Sequence, residues 1–83
     1  MPALDELTAG QRGRVEEVLG DDALVQRLME MGLMEGEEVE VVGFAPLGDP
    51  MEIRLGNARL SLRRQEAAGI AVEPQAGGEV VGS

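Results

Sequence analysis

Carboxylates are the most plentiful chemically active side chains of this 83-residue chain. Its 16 Asp and Glu residues face seven Arg and no Lys, so the formal net charge is −9. Three acidic groups could offer oxygen ligands to a hard cation: Asp21-Asp22, Glu16-Glu17 and Glu35-Glu37-Glu38. None has the spacing of a calcium-binding loop, and neighbouring residues of a strand point to opposite faces. We therefore predict a solvated acidic surface, with no metal site and no cofactor.

Two common catalytic residue types, cysteine and histidine, are missing from the sequence. Cys and His are absent, which excludes a thiolate nucleophile, an imidazole base and a disulfide framework. Thr8 and Ser61 are the hydroxyl candidates, and no imidazole is present to activate either of them. Phe44 is the single aromatic residue, so there is no stacking platform for single-stranded nucleic acid. Without an imidazole or thiolate we do not predict an enzyme. Because the net negative charge also repels phosphate, we do not predict a nucleic-acid-binding protein.

A helix over residues 23–31 is the best-defined element of the chain. Asp21 or Asp22 can cap it, since a carboxylate accepts hydrogen bonds from the free amides of the first turn. One face carries apolar residues at helical spacing, namely Leu24, Leu28 and Met31. Gly32 predicts a left-handed end to the helix, after which Leu33 folds back onto Leu28 in a Schellman motif.

This helix is also the first candidate for binding a protein partner. Val25 and Met29 widen its apolar face, and Met34 follows just beyond its end. These side chains either cover the open side of the fold or form an adaptable apolar surface for a partner. Core packing is the favoured interpretation for Leu24, Leu28 and Met31, whereas both interpretations stay open for Val25, Met29 and Met34.

A proline-bounded loop over residues 45–50 is the second candidate. Leu47 lies at its tip and is either an exposed anchor for a partner or part of a turn held by its prolines. Arginines late in the chain could face acidic groups of a partner or form surface pairs with Glu52 or Glu66: Arg59, Arg63 and Arg64. The predicted partner-binding residues are Val25, Leu28, Met29, Met31, Gly32, Leu33, Met34 and Leu47.

The elements that must position these residues are mostly short strands. Apolar alternation predicts strands over residues 14–19, 38–44, 51–55, 58–62 and 70–72, with a Gly56-Asn57 hairpin and a helical turn over 64–68 closed by Gly69. Irregular spacing at Val15 and Val18 predicts a bulge or a strongly twisted strand, and the break in alternation at Gly43 predicts a bulge or a barrel-corner bend. The pattern indicates a mainly β fold: a small, partly open five-stranded barrel with one helix after the first strand and a helical turn before the last. We expect this domain to span residues 1–73, followed by a flexible, Gly-rich tail over 74–83.

Several segments in this order resemble the FeoA family of small bacterial iron-transport proteins. The main one runs Arg27-Leu28-Met29-Glu30-Met31-Gly32-Leu33-Met34-Glu35-Gly36-Glu37-Glu38-Val39 and looks like the family pattern R-L-x-x-M-G-L-x-x-G-x-x-V. Further segments that fit lie at 4–15, 45–55, 59–63 and 66–72. The resemblance covers about residues 4 to 73, and it implies an SH3-like barrel.

The same resemblance implies a role at a membrane. It implies binding to the cytoplasmic side of the FeoB transporter and support or regulation of GTP-dependent ferrous iron uptake. The N-terminal residues do not read as a signal peptide and no apolar run is long enough to cross a bilayer, so we expect a cytoplasmic protein held at the inner membrane by its partner. The methionine-rich face could equally serve weak self-association.

One alternative within the fold is a metal-responsive domain related to the C-terminal domain of iron-dependent repressors. It is disfavoured because the chain is acidic and no helix-turn-helix motif precedes the barrel. A stoichiometric metal-binding isotherm would favour it.

Overall fold

Alternating apolar and polar residues build five short strands, since every second side chain of a strand points to the same face. The computed structural model describes residues 2–75. The strands are β1 (Arg12–Val18), β2 (Glu38–Phe44), β3 (Met51–Leu55), β4 (Ala58–Leu62) and β5 (Ile70–Gln75). The helices are α1 (Asp22–Glu30), α2 (Arg64–Ala67) and a single 3₁₀ turn, Leu4–Glu6. Among the described residues, no helix has the length and apolar character needed to cross a bilayer.

The strands form one antiparallel sheet in the order β4-β3-β2-β1-β5. Helix α1 follows the first strand and α2 precedes the last, which confirms the predicted mainly β class and element order. Strands β4 and β5 are the two edges of the sheet, in agreement with a partly open arrangement.

Two bulges bend the sheet where the sequence periodicity slips. The pairing of β1 with β5 shifts between Val15 and Glu17, and the pairing of β2 with β3 shifts between Val41 and Gly43. Both shifts confirm predicted bulges. An extra residue on one strand increases local twist, which lets short strands wrap around an apolar interior.

The core collects the alternating apolar residues of every strand. It also contains Leu28 and Leu33 from α1 and its end, and Leu4 and Leu7 from the 3₁₀ turn and its end. The turn is held in place by a bridge between Ala3 and Ala71 and by a 3.0 Å hydrogen bond from the Val72 amide to the Pro2 carbonyl. The N-terminal residues thus close one side of the core.

Strand β5 continues beyond its predicted end before Pro74. Pro74 lies opposite Gly13 and Gln75 opposite Arg12, so both belong to the strand. A proline is tolerated there because β5 is an edge strand with one neighbour only, and it need not supply every amide hydrogen to a ladder. The first two residues of the predicted tail are therefore strand, and residues 76–83 lie outside the described part of the chain.

Candidate partner-binding surface

Helix α1 is capped at both ends by local side-chain and backbone chemistry. The Asp21 carboxylate accepts a 2.9 Å hydrogen bond from the Leu24 amide, as predicted for the N-terminus. At the other end Gly32 has a φ of +96°, and the Leu33 amide donates to the Leu28 carbonyl at 2.9 Å. This is the predicted Schellman motif, and it turns the chain sharply back over the helix.

The turn brings residues from three segments around one apolar depression. Besides Glu35, it is lined by five apolar residues: Val18 of β1, Val25 and Met29 of α1, and Leu33 and Met34 beyond the helix. We call these five residues the methionine groove; the depression has a volume of about 400 Å³. A neighbouring hollow of about 550 Å³ shares Val25, Met29 and Met34 with it.

The two methionines of the groove are exposed to solvent. Met29 is 50% exposed and Met34 is 41% exposed, although both are large and apolar. The segment carrying Met34 is tied to β1 by two backbone bonds of 2.8 Å, from the Gly36 amide to the Val15 carbonyl and from the Val15 amide to the Glu37 carbonyl. Exposed methionines on an anchored backbone provide an adaptable surface at a defined place.

The structure divides the predicted contact residues of the helix into two groups. Leu28 and Leu33 are 0% exposed, so the prediction that they contact a partner is wrong: they pack inward and hold the helix end on the core. Met31 is partly exposed but lines a different hollow, with Arg27, Pro50, Ser61, Arg63 and Glu66. Gly32 acts through its backbone conformation. Of the predicted residues that line the groove, Leu33 is buried, which leaves Val25, Met29 and Met34 as those with solvent-exposed surface.

Leu47 lies outside the groove, at the tip of the loop between β2 and β3. It is 95% exposed. Two backbone bonds close the loop beneath it: the Ala45 amide donates to the Pro50 carbonyl at 2.9 Å and the Gly48 amide to the Ala45 carbonyl at 2.7 Å. A fully exposed leucine on a closed loop is available for contact without rearrangement of the backbone.

Arg64 holds this loop against the rest of the domain. Its guanidinium donates to the carbonyls of Gly48 at 3.4 Å and Asp5 at 3.0 Å, and its backbone amide donates to the Asp49 carboxylate at 3.1 Å. Arg64 was instead predicted to face acidic groups of a partner or to form a surface pair. No local signal could have shown this role, because its partners lie 15 to 59 residues away in the chain.

Several other charged side chains form exposed pairs along the sheet and helices. Arg59 pairs with Glu52 at 3.3 Å, one of the predicted surface pairs. Glu66 pairs with Arg27 at 2.8 Å, whereas Arg63 only donates its backbone amide to the Glu66 carboxylate. Such pairs add little to stability. Residues 2–75 contain no group of three or more acidic side chains placed to hold a metal ion.

A protein-family model matches almost the whole of this fold. The model describes the FeoA domain, and it matches residues 3–74. The chain belongs to the FeoA family. A curated relative, an Fe(2+) transport protein A/Fe(2+) transporter FeoB fusion protein of Porphyromonas gingivalis, is 40% identical over 70 residues. The aligned region covers 84% of this chain but only 8% of the relative, so the chain corresponds to a small part of that protein.

Solved FeoA structures share the fold as well as the sequence. The FeoA protein of Chlorobium tepidum superimposes with a TM-score of 0.86 at 45% identity, over 94% of this chain and 74% of that one. FeoA of Stenotrophomonas maltophilia, solved with zinc and described as a prokaryotic SH3 domain protein, gives 0.77 at 35% identity, over 88% and 91%. The present fold is thus SH3-like, as the resemblance implied.

A transcriptional repressor has the same fold at low sequence identity. A manganese-dependent repressor gives a TM-score of 0.82 at 16% identity, over 89% of this chain and 41% of the repressor. Identity this low shows the shared fold alone. It does not carry the metal response of the repressor over to this FeoA family member.

Proposed function

We propose that this FeoA domain is a non-catalytic adaptor that binds the cytoplasmic side of a FeoB-type transporter and regulates ferrous iron uptake. One observation carries the proposal: in the Porphyromonas gingivalis relative, a transport protein A segment similar to this chain and a FeoB transporter are parts of one polypeptide. Fusion keeps two partners at a high effective concentration, which is useful when they act together.

The proposed contact surface consists of the methionine groove and the tip of the Leu47 loop. Both expose apolar side chains on backbone that is held by hydrogen bonds, so little conformational entropy is lost when a partner binds. An adaptor function also agrees with the side-chain chemistry, since Cys and His are absent from the whole sequence.

The test is binding of the purified chain to the full-length FeoB-type transporter of the same organism in nanodiscs, with and without a GTP analogue. Biolayer interferometry should show saturable binding in at least one nucleotide state. Met29→Glu places a charge in the groove and should weaken binding about tenfold or more, the scale of an interface hot spot. Absence of binding in every nucleotide state would contradict the adaptor function.

Met31→Glu is the matched control, because it makes the same substitution at a methionine outside the groove. Both variants should keep the melting temperature within a few degrees of the parent. Equal loss of binding in the two variants would argue against the groove as the contact surface while leaving the partnership itself intact.

A further inference from the structure

We propose that the methionine groove binds a cationic amphipathic segment, whose apolar side chains enter the groove while flanking Arg or Lys residues meet acidic side chains around it. The inference deepens the proposed function by naming the chemistry of the transporter segment that docks. It depends on features of the groove that are separate from the family assignment.

The edges of the groove are acidic. Glu35 lines the groove itself, and Asp22 and Glu30 line the neighbouring hollow that shares Val25 and Met29 with it. No arginine lines either depression. Among residues 2–75, none of the five ion pairs includes these three carboxylates.

The arginines are engaged elsewhere on the molecule. Four of them form the ion pairs described for this structure: Arg14, Arg27, Arg54 and Arg59. Arg64 is held at the Leu47 loop, and Arg12 lines a polar hollow beside β2. Arg63 lines the separate hollow that contains Met31. The negative charge around the groove is therefore not compensated by the neighbouring arginines of the chain.

Glu30 adds a second electrostatic argument. It is the last residue of α1, where the backbone carbonyls carry partial negative charge and a cation is preferred. Within residues 2–75 its side chain takes part in one hydrogen bond, a 3.4 Å bond donated by Gln26. A partner cation at this point would interact favourably with the carboxylate and with the helix end. Binding would thus relieve the repulsion between Glu30 and the negative end of α1 that is present in the free protein.

Other possible occupants of the groove have an unfavourable charge. A second copy carries the same acidic edge and the same net charge of −9, and an anionic lipid surface is repelled as well. Short cytoplasmic loops of membrane proteins, by contrast, carry an excess of Lys and Arg. A cationic amphipathic segment next to a membrane span has the charge and the apolar side chains that this groove requires.

The first experiment measures transporter binding for two variants that remove the same charge at different places. Glu30→Gln/Glu35→Gln neutralises the groove edge and keeps its apolar lining. Glu38→Gln/Glu52→Gln is the control, since neither residue lines the groove or its neighbouring hollow. At low salt we expect the first variant to bind about fivefold more weakly, the scale of two exposed charge pairs, and the control to stay within about twofold.

Salt provides a readout that a purely structural effect would not produce. Raising the salt concentration should weaken binding of the parent more than binding of Glu30→Gln/Glu35→Gln, because ions screen the charges removed in that variant. If the transporter binds parent and groove variant equally at every salt concentration, the inference is wrong and the adaptor function stands.

The second experiment separates the two proposals. The intact chain, labelled with ¹⁵N, is titrated with a synthetic Leu/Lys amphipathic peptide and with its Leu/Glu counterpart. Amide shift changes centred on Val18, Val25, Met29 and Met34 with the Lys peptide alone would support the inference, even if the transporter failed to bind. Changes spread over the whole surface, or equal changes with both peptides, would overturn it.

Competing occupants are tested with the same variants. Sedimentation of the parent and Met29→Glu shows whether the groove joins two copies, and flotation with phosphatidylglycerol vesicles shows whether it binds lipid. We expect a monomer and no vesicle binding. A dimer, or vesicle binding, that Met29→Glu abolishes would overturn the assignment of a cationic segment.

Discussion

The guanidinium carbon of Arg64 lies 4.9 Å from the centroid of the Phe44 ring. This cation–π contact joins the end of β2 to the first residue of α2, and the same guanidinium donates to the Asp5 and Gly48 carbonyls. Three parts of the chain that are distant in sequence therefore meet at one side chain. The loop that presents Leu47 starts directly after Phe44 and depends on this contact for its position.

Replacement of Arg64 should loosen the loop. Arg64→Met keeps much of the aliphatic side chain but removes the cation and its two carbonyl contacts. We expect a loss of about 1–2 kcal/mol in the free energy of unfolding, measured by urea denaturation. Arg63→Met is the control, because Arg63 is exposed and forms no side-chain ion pair in the described residues. Equal effects of the two substitutions would contradict a special role for Arg64.

Leu47 should matter for binding and not for folding. At 95% exposure, Leu47→Asp removes almost no buried surface, so the free energy of unfolding should change by less than about 0.5 kcal/mol. If the loop tip is an anchor, affinity for the transporter falls about tenfold in biolayer interferometry. Leu19→Asp, at another exposed leucine, should leave affinity unchanged. Unaltered binding by Leu47→Asp would remove the loop from the contact surface.

Gly32 should not tolerate a β-branched residue. Its φ of +96° is unfavourable for any side chain with a Cβ, and a Cβ there would also lie 3.3 Å from Leu55 Cδ2. Gly32→Val should cost at least about 1–2 kcal/mol and lower the melting temperature by several degrees. Gly43→Val is the matched control, since its Cβ meets open space. A melting temperature equal to that of the parent would show that the helix ends in another way.

Gly69 is required for a different reason, because its φ is not positive. A Cβ at this position would lie 2.6 Å from the Leu19 carbonyl oxygen, and the Leu19 amide already donates to the Gly69 carbonyl at 2.8 Å. Gly69→Ala should therefore force the ends of β1 and β5 apart and cost about 1–3 kcal/mol in thermal or urea unfolding. Gly43→Ala should be close to neutral by the same measurement.

The local elements followed from short-range patterns. Asp21, Gly32 and Leu33 lie within a few residues of the groups they bond, so their roles in the helix caps could be predicted from spacing alone. The bulge near Gly43 was likewise visible as a break in alternation. The end of β5 was not, because tolerance of Pro74 depends on its lying at the edge of the sheet.

The predicted contact residues show that short-range patterns do not distinguish buried from exposed apolar residues. Leu28 and Met29 are adjacent in sequence and both apolar, yet one is fully buried and the other is half exposed. Helical spacing shows that they point in different directions, and only the packed sheet shows which direction is inside. Leu33 was predicted both to fold back onto Leu28 and to contact a partner, and the Schellman turn directs it into the core.

By itself the sequence determined the order of the elements, the helix caps, the acidic character and the absence of Cys and His, because each depends on composition or on neighbours a few residues apart. The tertiary structure decided which apolar residues remain exposed, that Val18, Met29 and Met34 form one groove, and that Arg64 supports the Leu47 loop. These relationships join residues far apart in the chain. They form only when the strands have paired and the apolar side chains have packed into the core.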